Sequence, residues 1–247
     1  MIMNMKTFFT ENGTKSTGAV KSSESVKKII SAFVLSFLML LGFSGCSSNL
    51  VLKAQKDLSS TVNLELHTGE SLNSILKALF GSENLSVIMN TAEIKQALEG
   101  NDFYNVSAEV NSSAFELSGT IAASSNQNSS TQKGLMLKDF VECTPSSLTL
   151  TVNPEKLLSL YASLPQESAY LIDLFIAPVF TGEEMTEEEY VELIQAFYGE
   201  SVASELQNAK LNVVLCSPSD KKIQKSFELP VLELLCLSEE KEFTISW

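Results

Sequence analysis

The chain has 247 residues and a formal net charge of −13, from 30 acidic against 17 basic side chains. Its first 45 residues hold five lysines against two glutamates, so the remaining 202 carry −16, and they contain no arginine. So acidic a surface, without guanidinium forks, argues against nucleic acid and against adhesion to anionic headgroups, and leaves lysine as a mere point charge toward phosphate.

The N-terminal stretch is polar and basic up to Lys27 and Lys28, turns apolar from Ile29 to Phe43, and ends in the small residues Ser44 and Gly45 before Cys46. That order reads as an export signal. The apolar run is shorter than the ~20 residues a membrane span needs. Phe43-Ser44-Gly45-Cys46 resembles the bacterial lipobox, with Phe43 where that motif usually has leucine. The resemblance implies that the Cys46 thiol receives diacylglycerol and that several acyl chains follow. Each buried methylene contributes about 0.8 kcal/mol, one chain holds marginally, and two or more hold durably. The alternative is a signal cut near Gly45 by the general peptidase, with Cys46 an ordinary residue.

Residues 46–58 read as a tether, and 59–247 as one domain, with a division into two lobes near 124–134 as the alternative. Val62, Leu64 and Leu66 alternate with Asn63, Glu65 and His67, the period of a half-buried strand. Leu72, Ile75, Leu76, Leu79 and Phe80 recur at helical spacing before Gly81, and a shorter helix is expected from a cap at Asn90 to Gly100. Between Phe103 and Ala123 alternation returns as a hairpin, Val106, Ala108 and Val110 marking one face and Phe115, Leu117 and Ile121 another. The polar stretch 124–134 reads as a loop, with strands expected over 135–141 and 147–152 around a Thr144-Pro145 turn.

Pro154 suits the first turn of a helix, and the nearly all-apolar run 167–180 reads as a core helix broken by Pro178. Thr186 and Glu189 have capping-box spacing ahead of Tyr190, Leu193, Ile194 and Phe197, with Gly199 at the far end. The chain then reads as a strand over 211–216, a turn at Ser217-Pro218-Ser219-Asp220, a strand or strand pair over 223–237 and a last strand at 243–247. The fold expected is α+β: one antiparallel or mixed sheet with the helices of 154–208 packed on one face.

Few residues invite chemistry. His67 is the single histidine, lies on the polar side of its strand, and has no serine in a Gly-x-Ser-x-Gly elbow to serve, so it reads as a surface residue. Glu183, Glu184, Glu187, Glu188, Glu189 and Glu192 form the densest acidic group. Carboxylates gather at a helix N-terminus because the exposed N–H groups there favour negative charge, and no calcium-loop spacing is present to make more of them. With Cys46 acylated, Cys143, Cys216 and Cys236 remain, an odd number; Cys216 and Cys236 could pair if their strands are neighbours, and the plainer reading is three small buried hydrophobes. No cofactor, metal or catalytic residue is expected.

Ala177-Pro178-Val179-Phe180-Thr181-Gly182-Glu183, Glu189-Tyr190, Phe197-Tyr198-Gly199, Phe227 and Leu229-Pro230-Val231-Leu232-Glu233-Leu234-Leu235, ending at Trp247, resemble uncharacterised lipoproteins of treponemal spirochaetes. The likeness covers the last third and the lipobox; it implies an address in the cell envelope and transfers no site residue. The expectation is a membrane-anchored envelope lipoprotein with a binding or structural role and Cys46 as its lipidation site. A carrier for a hydrophobic ligand, with an apolar pocket beside 168–180, is the second reading, and a hydrolase using acidic residues the third. The partners expected are the membrane, through the acyl anchor, and an envelope protein or hydrophobic ligand.

Overall fold

The computed structural model describes residues 48–67, 69–80, 91–99, 103–111, 114–123, 139–162 and 177–247. Its first element is a strand where a tether was expected. β1 (Ser48–Ala54) alternates Leu50, Leu52 and Ala54 with Asn49, Val51 and Lys53, and Leu52 and Ala54 are fully buried. It pairs antiparallel with β2 (Ser60–His67) through a tight turn in which Asp57 accepts hydrogen bonds from the Ser59 amide and hydroxyl.

Two helices follow, α1 (Glu70–Phe80) and α2 (Thr91–Glu99). The expected caps at Gly81, Asn90 and Gly100 lie outside the described residues, as do the loop 124–134 and most of the strand expected over 135–141. β3 (Phe103–Val110) and β4 (Ala114–Ile121) form the expected hairpin, interrupted by a bulge at Asn105 with φ of 56°. Cross-strand pairing of Ala108 with Leu117 and Val110 with Phe115 turns both apolar sets to the same side of the sheet, correcting the assignment to separate faces.

After β5 (Val141–Cys143) and β6 (Ser147–Val152), joined through the Thr144 turn, come α3 (Pro154–Ala162), α4 (Pro178–Thr181), α5 (Glu187–Tyr198) and α6 (Glu200–Asn208). Of the core helix expected over 167–180, residues 167–176 lie outside the described residues; Pro178 opens the four-residue α4. Thr186 accepts from the Glu189 amide while Glu189 accepts from the Thr186 amide, the reciprocal cap expected of that spacing. Gly199 ends α5 and starts α6 at φ 91° and ψ 168°.

β7 (Lys210–Cys216) and β8 (Gln224–Pro230) follow, then α7 (Val231–Leu235) and β9 (Lys241–Ser246). A strand or strand pair was expected over 223–237. The second half is helical instead: Pro230 ends the ladder, and Val231, Leu232, Leu234 and Leu235 are buried around the single polar Glu233, too short a run to mark a period.

The architecture is α+β with two sheets rather than one. The larger has the order β3-β4-β2-β1-β7-β8, with only β1 and β7 parallel; the smaller is β5-β6-β9 and antiparallel. β1, the strand nearest Cys46, is thus central. One face of the large sheet is sealed in an apolar core that also takes Ile94 and Leu98 of α2, Tyr190 and Ile194 of α5, Leu206 of α6 and Leu148 of the small sheet. Full burial of each such side chain contributes about 1.5–3 kcal/mol.

Candidate functional site on the open face of the sheet

The other face of the large sheet is polar. Strand alternation that turns Leu52, Leu64, Leu66, Phe115, Leu117 and Val213 inward must turn their neighbours outward. The register then aligns one residue from each of the six strands in a single transverse row: Glu109, Glu116, Glu65, Asn49, Asn212 and Glu228. The next row contains Ser107, Ser118, Asn63, Val51, Val214 and Ser226. The two rows line a shallow depression of about 350 Å³ on the β3-β4-β2-β1 side.

Charge along the row is uneven. At one end Lys210 donates to Glu228 at 2.8 Å, and in the middle Asn212 donates to Asn49 at 3.2 Å. His67, one residue pair further along β2, lies 2.8 Å from Glu65 through Nε2. It serves a carboxylate on the open face, as expected of a surface histidine. Glu109 and Glu116 have no ion-pair partner among the described residues, although Glu116 lies between two other glutamates. Like charges directly opposite each other in a sheet are destabilising by tenths of a kcal/mol and more. Local rules are most often broken where function asks for it. Acidic interest in the sequence fell on residues 183–192 instead; a glutamate at an outward position of β2, β3 and β4 was the only signal of this row.

The acidic run itself is resolved as helix chemistry. Glu187, Glu188 and Glu189 occupy the first turn of α5, and the hydrogen bonds from Thr186, the backbone one first, hold the Glu189 carboxyl below the usual carboxylate range. A second depression of about 650 Å³ is lined by Glu183, Glu184 and Glu189 together with Leu158, Val179, Met185 and Leu237. No group of three or more His, Cys, Asp or Glu side chains among the described residues is arranged to hold a metal ion.

Among the described residues the cysteines do not pair. Cys143, Cys216 and Cys236 are free and partly buried. Cys216 lies at the end of β7 on the open face, while Cys236 follows α7 and borders the second depression. Burial, reinforced by Glu187, pushes the Cys236 thiol up to about 12, and burial raises those of Cys143 and Cys216 too. Thiolates are the reactive form, so these three are poor nucleophiles. Cys46, the expected lipidation site, lies outside the described residues, two positions before β1.

No protein family, curated protein or solved structure was found to match the chain. No helix among the described residues is long and apolar enough to cross a membrane.

Proposed function

We propose that this chain is a lipoprotein of the bacterial cell envelope, anchored by acyl chains on Cys46 and acting without catalysis, as a binding or structural module. The observation that carries the reading is the order of basic residues, apolar run, small residues and Cys46. The resemblance of its last third to treponemal lipoproteins supports the same address. The open face of the large sheet is the surface offered to a partner: largely polar on its β3-β4-β2-β1 side and built around a glutamate ladder that costs stability.

The test has two arms. In cells fed a clickable fatty acid, the native chain takes the label and enters the detergent phase, and Cys46→Ala does neither. A Cys46→Ala chain that partitions and matures like the native one overturns the anchor. Crosslinking from the open face recovers an envelope partner that Glu116→Lys loses; turnover of an envelope polymer by the purified protein overturns the non-catalytic role.

A second reading, a carrier for a hydrophobic ligand, draws on the depression of about 650 Å³ with Leu158, Val179, Met185 and Leu237 in its lining. A lining that mixes apolar side chains with a few polar groups suits small amphiphiles. A fluorescent fatty-acid probe that binds the native chain and not Leu158→Glu supports it, and no binding to either removes it.

A further inference from the structure

We propose that the anchored domain stands directly on the bilayer, with one end of the six-stranded sheet against the lipid headgroups and the glutamate row facing sideways. This rests on acylation of Cys46. One residue, Ser47, separates that cysteine from β1. Two extended Cα steps reach at most ~7 Å. The headgroup band of one leaflet is about 5–8 Å deep, half the difference between the whole bilayer and its hydrocarbon core. An acylated Cys46 sits in that band, so Ser48 cannot rise much beyond its outer rim.

The fold has no slack to add. Ser48 is fully buried, and β1 is hydrogen-bonded along both edges, to β2 and to β7. Peeling it back to make a linker would break two ladders and expose Leu52. Strand directions then decide what meets the membrane. β2 ends there at His67, β4 begins there at Ala114, β7 begins at Lys210 and β8 ends at Pro230. The turn at Gln55–Ser59 and the turn at Pro218–Lys221 lie at the other end, ~20 Å away at the rise of an extended strand.

Charge selects between standing and lying. Laid on its open face, the sheet would press Glu65, Glu109, Glu116 and Glu228 onto headgroups whose phosphates are negative. Upright, the row runs across the sheet one residue above Ser48 with its side chains directed along the membrane plane rather than down onto the phosphates, and the open face beyond it stands parallel to the membrane normal, within reach of a partner held in the same leaflet.

Native lysines report the geometry. Lys210 is at the membrane end, Lys56 and Lys221 are at the far end, and Lys53 is on the open face. The lipidated full chain is added to preformed phosphatidylcholine vesicles and treated with an amine-acylating reagent that cannot cross the bilayer. It is compared with a chain carrying about ten glycine and serine residues between Ser47 and Ser48, a spacer of ~17 Å mean reach. Lys210 should react several-fold more slowly in the native chain than in the spacer chain, with Lys53, Lys56 and Lys221 unchanged. Equal reactivity of Lys210 in both, with acyl mass present on the Cys46 peptide, overturns the docking and leaves the anchor standing. Slowing of Lys53 together with Lys210 overturns the upright stance. An N-terminal peptide without acyl mass overturns the anchor itself.

Discussion

Glu65 and Glu116 stand directly opposite each other across the β2–β4 pair on the open face, and Glu116 is also directly opposite Glu109 of β3. Opposed like charges destabilise a sheet, whereas opposite charges contribute roughly 0.2–1 kcal/mol in its favour. Glu116→Gln should therefore raise unfolding free energy by about 0.5 kcal/mol at low salt, and the gain should shrink toward zero near ~1 M salt, where screening reaches ~3 Å. Urea denaturation at two salt concentrations reads this. A variant less stable than the native chain at low salt would show that the three carboxylates are not repelling one another.

The cap of α5 offers a second measurement. Removing the hydroxyl in Thr186→Ala costs about 1 kcal/mol, the usual loss at an N-cap. Its pH dependence has a definite sign. The Glu189 carboxyl is held below its ordinary range by hydrogen bonds from Thr186, so the folded state favours the ionised form. The stabilisation is present above the carboxyl's unfolded pKa and is lost as pH falls through the folded one. Thr186→Ala should thus be closest to the native chain in acid, and a difference that grows on acidification contradicts the cap.

Two glycines are predicted to resist alanine for different reasons. A Cβ at Gly119 would lie 2.6 Å from the ring of Phe103, which is buried and cannot retreat, so Gly119→Ala should cost ~1–3 kcal/mol by overpacking. At Gly199 a Cβ meets nothing, and the obstacle is the backbone at φ 91° and ψ 168°, a region almost reserved to glycine, at ~1–3 kcal/mol. Phe103→Leu should rescue the first variant and leave the second as it was. Thermal denaturation of the four chains distinguishes the two mechanisms.

Local chemistry was legible in the chain wherever a few neighbouring residues set the outcome. Thr186 with Glu189, Gly199, the turn at Thr144 and the hairpin of β3 and β4 all fall in that class. β1 was missed although Leu50, Leu52 and Ala54 alternate, because Ser47, Ser48 and Asn49 after the expected anchor have the composition of a linker. α7 was missed because four buried residues around the single polar Glu233 are too few to set a period, and length alone does not separate a short buried helix from a strand. The glutamate row as a whole could not be read from the chain. Glu109 and Glu116 face each other across the hairpin, but Glu65 joins them only through the pairing of β2 with β4, a non-local contact that no spacing along the chain encodes.

Cys236 supplies a prediction on reactivity and on alkaline stability together. Burial, with Glu187 adding to it, raises its thiol to about 12, and the thiolate is the species that alkylates. In the native protein at neutral pH iodoacetamide should modify Cys236 far more slowly than in urea; rapid modification without denaturant contradicts the burial. Because the folded state keeps the proton that the unfolded chain gives up, stability is whole below the unfolded thiol value and declines as pH rises from there toward about 12. Buried Tyr190, likewise raised by desolvation, pulls in the same direction, with its own onset higher. Cys236→Ala should therefore flatten the first part of the alkaline decline and leave the later part in place. A decline identical in the variant would take Cys236 out of the effect and leave it to the tyrosines and the other two raised thiols.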